Sequence, residues 1–230
     1  MLGNKKCGLI KELVTFTFVI IEVLLFPLIH FSPGGTSRIY AYAAIAAIAL
    51  YALVMAFLGS GAQFIRLGIF LTLEADYFLV LKGKNLEGVV TFILVQLSYF
   101  VYLLSVEKRE RIRIANIVLR VALSFLSVCI AFLVLGNNAD TLATVSAIYY
   151  VNLLANMLFA LLLGRRERIF AIGLALFAMC DLCIGIEVLL SYYFDVDVSA
   201  FYGLGINLPW LFYQPSQILI VLHLRQNNVY

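Results

Sequence analysis

The sequence predicts an all-α protein: a polytopic membrane helix bundle of eight transmembrane helices, with residues 1–230 forming a single transmembrane domain and both termini cytoplasmic. Three observations carry that prediction. Of the 230 residues 64% are hydrophobic and 13% charged, with a mean hydropathy of +1.03, whereas soluble domains are roughly 45–50% apolar. Eight apolar stretches approach the roughly 20 residues that a helix needs to cross a bilayer, leaving almost no chain for a soluble domain. Basic residues also divide unevenly among alternate loops. One side collects Lys5, Lys6, Lys11, the run from Lys108 to Arg113, Arg165, Arg166, Arg168 and Arg225, and the other only Arg38, Lys82 and Lys84. That asymmetry sets the orientation.

The net charge of +3 is small, and no nucleic-acid partner is indicated. Membrane lipids are the expected surroundings, the location an integral, multi-pass one, and for a bacterial cell the plasma membrane. Cys7, Cys129, Cys180 and Cys183 fall at or inside apolar segments, where a free thiol behaves as a small hydrophobe. Cys180 and Cys183 have CxxC spacing, but neither a His nor a second Cys pair completes a zinc site, so no metal and no cofactor is expected.

Segment one, about Leu13 to Phe31, carries Glu22. Its preceding lysines suit a signal peptide, yet no small-residue cleavage pattern follows, so it reads as a retained span. Segment two, Ile39 to Leu58, is Ala-rich: Ala43 and Ala47, then Ala52 and Ala56, are spaced for close helix approach. Segment three, Phe64 to Leu81, contains Glu74 and Asp76, which two residues of helix place on different faces, so only one points inward. In segment four, Glu87 to Ser105, Gln96 and Tyr99 share a face. Segment five follows Glu107 to Arg113, reaches Leu135 and carries Arg120, which could pair with Glu22. Segment six, Asp140 to Leu163, sets Tyr149, Asn152 and Asn156 on one stripe. Segment seven, Ile169 to Leu190, carries Asp181, and a stretch with Asp195 and Asp197 follows it. Segment eight, Asn207 to Leu224, has Tyr213 and Gln217 one turn apart with Pro215 between them.

An Asp near the middle of a span costs roughly 2.5–3.5 kcal/mol on insertion scales, so one that is kept usually faces a polar interior. Asp76 and Asp181 each lie roughly 18 Å from the inner end of their spans at about 1.5 Å per residue. On the oppositely running spans, Gln96, Asn152 and Gln217 reach a similar middle layer. Interhelical hydrogen bonding explains the amides and hydroxyls, at around 0.6 kcal/mol per contact. It does not explain two carboxyls without a basic partner. A carboxylic acid beside a carboxylate is the pairing that acid-base hydrolysis needs, although a carrier that titrates or holds a cation would use the same pair. His30 and His223 fall near the span boundaries rather than in this layer.

At these residues the sequence resembles the YhhN-like family of membrane proteins, which includes the lysoplasmalogenases. Leu73-Glu-Ala-Asp76-Tyr-Phe-Leu79 resembles the family's Gly-Asp-x-x-Leu motif. Phe92-Ile-Leu-Val-Gln96-Leu-Ser-Tyr99 resembles Phe-x-x-x-His-x-x-Tyr, Leu176-Phe-Ala-Met-Cys-Asp181 is similar to Phe-x-x-Ser-Asp, and Tyr213 to Ile220 is similar to the Tyr-x-x-x-Gln close. Gln96 stands where many members have His, Ala75 where they have Gly, and Cys180 where they have Ser. The resemblance implies a catalytic pair, Asp76 and Asp181. It also implies a substrate, a lysoplasmalogen, whose vinyl ether is cleaved by water to a fatty aldehyde and a glycerophospho-alcohol. One aspartate would act as general acid, while the other, ionised, would stabilise the oxocarbenium ion and activate water. Gln96, Tyr99, Tyr149, Asn152, Tyr213 and Gln217 would orient the lysophospholipid and the water. The competing reading is a non-catalytic or proton- or cation-coupled carrier of lipid or small molecule on the same fold.

Overall fold

The structure, a computed structural model, describes residues 2–59, 62–195 and 207–226. Asp197 lies outside them. Eight α-helices are present among the described residues: α1 (Leu2–Phe31), α2 (Gly34–Phe57), α3 (Gln63–Asp76), α4 (Asn85–Val106), α5 (Glu110–Leu135), α6 (Thr141–Leu162), α7 (Arg168–Val188) and α8 (Leu208–Gln226). α3 runs directly into a π-helical turn, Tyr77–Lys82, and α7 into another, Leu189–Tyr193. Helix α1 begins well before the expected Leu13, at Leu2.

Six helices, α1, α2, α4, α5, α6 and α7, are long and apolar enough to cross a membrane. α3 has 14 residues, 20 with its π-helical turn, and α8 has 19 with a run of polar side chains. Those two are the helices packed most closely on others: α3 lies against α4, and α8 against α7 with further contacts to α2 and α1.

Local chemistry sets the helix ends. Pro33, extended at φ −71° and ψ 135°, caps the start of α2. The Asp140 carboxylate accepts the Ala143 N–H at 2.7 Å and starts α6, satisfying one of that helix's orphan donors. Between α4 and α5, Glu107 takes the Arg109 backbone N–H at 2.8 Å and its guanidinium at 2.9 and 3.0 Å. Those bonds hold the Glu107 carboxyl down to about 2.

In lipid, close approach rather than apolar burial holds helices together. Gly68 of α3 lets the Tyr99 ring of α4 lie flat on the helix, since a Cβ there would sit 2.2 Å from Tyr99 Cε1. Gly173 of α7 does the same for α8, where a Cβ would sit 2.8 Å from Ile220 Cγ1 and 3.0 Å from the Ser216 carbonyl. On α2 the buried stripe is Ala41, Ala44, Ile45, Ile48, Ala52 and Met55. Of the alanines expected at the close approach, Ala52 is on that stripe and Ala43, Ala47 and Ala56 flank it half-buried. α1 docks on α2 through the Thr15–Tyr51 hydroxyl pair at 2.9 Å and the Phe18–Tyr51 ring stack at 4.4 Å. α5 is the outlier. It packs chiefly on α6, and Arg120 is its one buried residue.

Candidate active site

Of the two acidic residues on α3, Asp76 is buried at 3% exposure and Glu74 is exposed. Asp76 is the last α-helical residue before the π-helical turn, a local widening often found at functional positions. The turn is the local reason that the chain around Asp76 departs from regular α geometry.

Asp76 accepts the Tyr213 hydroxyl of α8 at 2.5 Å. Asp181 of α7, half-buried, accepts the Tyr149 hydroxyl of α6. Each carboxyl thus accepts a hydrogen bond from one tyrosine, and the two carboxyls lie within electrostatic range of each other. Among the described residues neither carboxyl has a Lys, Arg or His within 4.0 Å. Rings join the two pairs into one wall: Tyr149 to Phe92 at 5.6 Å, Phe92 to Phe177 at 5.5 Å, Phe177 to Tyr213 at 5.3 Å, and Tyr213 to Trp210 at 5.1 Å between centroids. Tyr42 of α2 comes within electrostatic range of Asp76, and Cys180 and Tyr150 within range of Asp181. The arrangement holds two acidic groups in an aromatic, low-dielectric layer, where charge interactions are strong.

Four of the eight residues expected at the site are therefore brought together: Asp76, Asp181, Tyr149 and Tyr213. The other four are placed elsewhere, and none hydrogen-bonds to either aspartate. Gln96 receives the Asn156 amide at 2.9 Å on both its side-chain and backbone oxygens. Asn152 donates to the Ile148 carbonyl at 2.8 Å and to Ser124 at 3.2 Å, and lies 3.5 Å from Arg120. Tyr99 is a packing residue, its ring on Gly68 and edge-on to Phe170 at 5.3 Å. Gln217 is buried on α8, with Ser216 Oγ 3.4 Å from its Nε2. These four share helix faces with the site, but a shared stripe does not fix which turn of a neighbouring helix each one meets.

One further expectation is corrected. Glu22 and Arg120 do not pair. Glu22 accepts the Gln214 amide at 2.8 Å on its carboxylate and at 2.9 Å on its backbone oxygen, because α1 packs on α8 while α5 sits on α6. His223 joins a cluster that sequence reasoning missed. Its Nε2 lies 3.0 Å from Glu167 Oε2 and 2.8 Å from the Tyr102 hydroxyl, which itself donates to Glu167 Oε2 at 2.9 Å. Glu167 sits among exposed arginines, and nothing in that run marks it as the one that turns inward. Phe92, Phe177 and Trp210 were missed as well, since aromatics on a membrane helix carry no signal that separates a site wall from ordinary core. Among the described residues no three His, Cys, Asp or Glu side chains group as they would around a metal ion.

Membrane-length helices around two carboxyls within electrostatic range of each other define a polytopic membrane protein with an acidic layer among its helices. Within that class, the chain matches the model of the YhhN family over residues 37–224, and it belongs to that family. No curated protein and no solved structure matches the chain. Helix α1, with Glu22, precedes the matched residues.

Proposed function

We propose that the protein is a membrane-embedded hydrolase that cleaves the vinyl ether bond of lysoplasmalogens, acting as an integral membrane protein that in a bacterial cell would lie in the plasma membrane. The observation that carries this reading is the Asp76–Asp181 pair, two carboxyls from different helices in one aromatic layer, each steadied by its own tyrosine. Membership of the YhhN family supports the same chemistry.

The reaction follows from the bond. A proton passes from one aspartic acid to the vinyl carbon remote from oxygen, leaving an oxocarbenium ion across the carbon–oxygen bond. The second aspartate, ionised, stabilises that cation and takes a proton from the water that adds to it. The hemiacetal then collapses, breaking the bond to the glycerol oxygen, which leaves with a proton as the alcohol while the former vinyl carbon becomes the aldehyde. One water is consumed and no electron is transferred. Tyr149 and Tyr213 fix the orientation of the carboxyls through their hydrogen bonds, and the ring wall from Tyr149 to Trp210 limits access of bulk water.

The test is product analysis. Purified protein is mixed with a lysoplasmalogen and, separately, with the ester lysolipid of the same chain length, and fatty aldehyde is scored by mass spectrometry. Aldehyde from the vinyl ether alone, lost in Asp76→Asn and Asp181→Asn, is expected. An unchanged rate in both variants would overturn the reading. The second reading, a proton- or cation-coupled carrier, draws on the buried Tyr102–Glu167–His223 cluster, which adds titratable groups on the same helices as the site. It predicts coupled uptake in proteoliposomes with no product formed.

A further inference from the structure

Arg120 is 5% exposed, and its surroundings are neutral. Its guanidinium lies 3.9 Å from the Phe100 ring centroid, with Nε donating to Asn116 Oδ1 and Nη2 to Asn156 Oδ1, both at 2.7 Å. Nη1 reaches Asn152 only at 3.5 Å. Among the described residues no carboxylate lies within 4.0 Å of it.

The cation gives the network a direction. A guanidinium only donates, so Asn156 must turn its Oδ1 to Arg120 and its Nδ2 away. That Nδ2 donates to Gln96 Oε1 at 2.9 Å, which turns the Gln96 Nε2 outward in its turn. Gln96 is fully buried, and its Nε2 has no acceptor among the described residues. The network therefore carries a positive charge at one end and an unanswered N–H donor at the other, in a layer where leaving either uncompensated is costly. An anion with several acceptor oxygens answers both.

We propose that Arg120, Asn156 and Gln96 form a headgroup arm that takes the phosphate of a single-chain phospholipid. This rests on the hydrolase reading for the identity of the lipid. Asn152 and Gln96 stand three and four residues from Tyr149 and Phe92, so the arm lies about one helical turn, roughly 5 Å, along the bundle from the carboxyl layer. In a lysolipid the ether oxygen and the phosphate are separated by the three-carbon glycerol unit, a comparable span.

The experiment measures binding to the full-length protein in detergent with three probes: a non-hydrolysable 1-O-alkyl lysophospholipid, the matching 1-O-alkylglycerol without phosphate, and inorganic phosphate. The lysophospholipid is expected to bind more tightly than the alkylglycerol by about tenfold or more, the scale of a hydrogen bond to a charged group. Arg120→Lys keeps the charge but loses the fork, and Gln96→Met removes only the terminal amide. Each should cut lysophospholipid affinity about tenfold and leave alkylglycerol binding unchanged. Equal binding of the two lipids, wild-type binding by a folded Arg120→Lys, or displacement of the lipid by equimolar inorganic phosphate would each overturn the proposal. Asp76→Asn should still bind the lysophospholipid. Phosphate discrimination without aldehyde production would sink the hydrolase reading and leave the arm standing.

Discussion

Two buried clusters in this bundle join carboxylates to tyrosines, and they differ in whether they close. In the Tyr102–Glu167–His223 cluster all three groups touch one another at 2.8 to 3.0 Å. The carboxylate there meets both a hydroxyl and an imidazole. In the Asp76–Asp181 layer each carboxyl takes one tyrosine, and the two lie within electrostatic range of each other with no Lys, Arg or His within 4.0 Å of either among the described residues. Mutual contact of its three groups makes the first cluster a tie between the ends of α4, α7 and α8, although Glu167 Oε1 has no hydrogen bond among the described residues. The open layer is the one on which the proposed hydrolysis depends.

The sharpest break of that contrast is in the open layer. Asp181→Asn or Asp76→Asn removes an ionisable group while keeping shape and hydrogen bonding to the tyrosine. Each should lower the hydrolysis rate by about 10²- to 10⁴-fold, the usual worth of a positioned acid or base, with thermal unfolding little changed. A comparable loss of stability would mean that the layer is structural after all.

The closed cluster should behave in the opposite way. His223→Leu leaves Glu167 buried without its imidazole, and breaking a buried pair by removing one partner costs about 3–5 kcal/mol. Unfolding of the purified protein in denaturing detergent should show that loss, while turnover per folded molecule stays within about twofold of wild type. The double variant Glu167→Met with His223→Leu should regain part of the stability, because two apolar groups replace both polar partners. If turnover collapses instead while the fold survives, the cluster takes part in proton movement and the carrier reading gains.

A smaller effect is expected at the crossing that shapes the interior between the two clusters. Gly68→Ala puts a Cβ against the Tyr99 ring, at 2.2 Å from Cε1 before relaxation. The ring has to move, at an overpacking cost of about 1–3 kcal/mol. The readout is again the unfolding midpoint, compared with Gly185→Ala, where the added methyl meets nothing within 4 Å.

The helices were legible in the sequence because hydropathy in a membrane chain is nearly a direct record of span length. That Asp76, Asp181 and Tyr213 come together was legible because a carboxylate in an apolar run has few explanations and short motifs surround the three, and Tyr149 was legible from the stripe it shares with Asn152 and Asn156. What sequence could not supply was depth to within one turn. Gln96 and Asn152 lie on the right helices and faces, yet they meet Asn156 and Arg120 rather than the aspartates. A rise of about 1.5 Å per residue accumulates from helix ends that are themselves uncertain by a residue or two, which is enough to shift a side chain into the next layer. The Glu22–Gln214 contact was hidden for another reason. It depends on which helices are neighbours, and hydropathy carries nothing about that.

The weakest expected effect sharpens the comparison most economically. Glu74 and Asp76 share one helix, are two residues apart and are both acidic, so composition cannot separate them, and only the resemblance to the Gly-Asp-x-x-Leu motif singles out Asp76. Two residues of α-helix turn the side chains roughly 200° apart, and the bundle covers only one of the two directions: Asp76 is 3% exposed and Glu74 lies on the open face. Glu74→Gln should therefore change stability by no more than about 0.5 kcal/mol, as for other exposed positions, and leave the aldehyde assay within about twofold of wild type. A rate loss as deep as that of Asp76→Asn would mean that the acid works from the outer face of α3. The Tyr213 bond would then be a structural tie, and the open layer would lose the feature that sets it apart from the closed one.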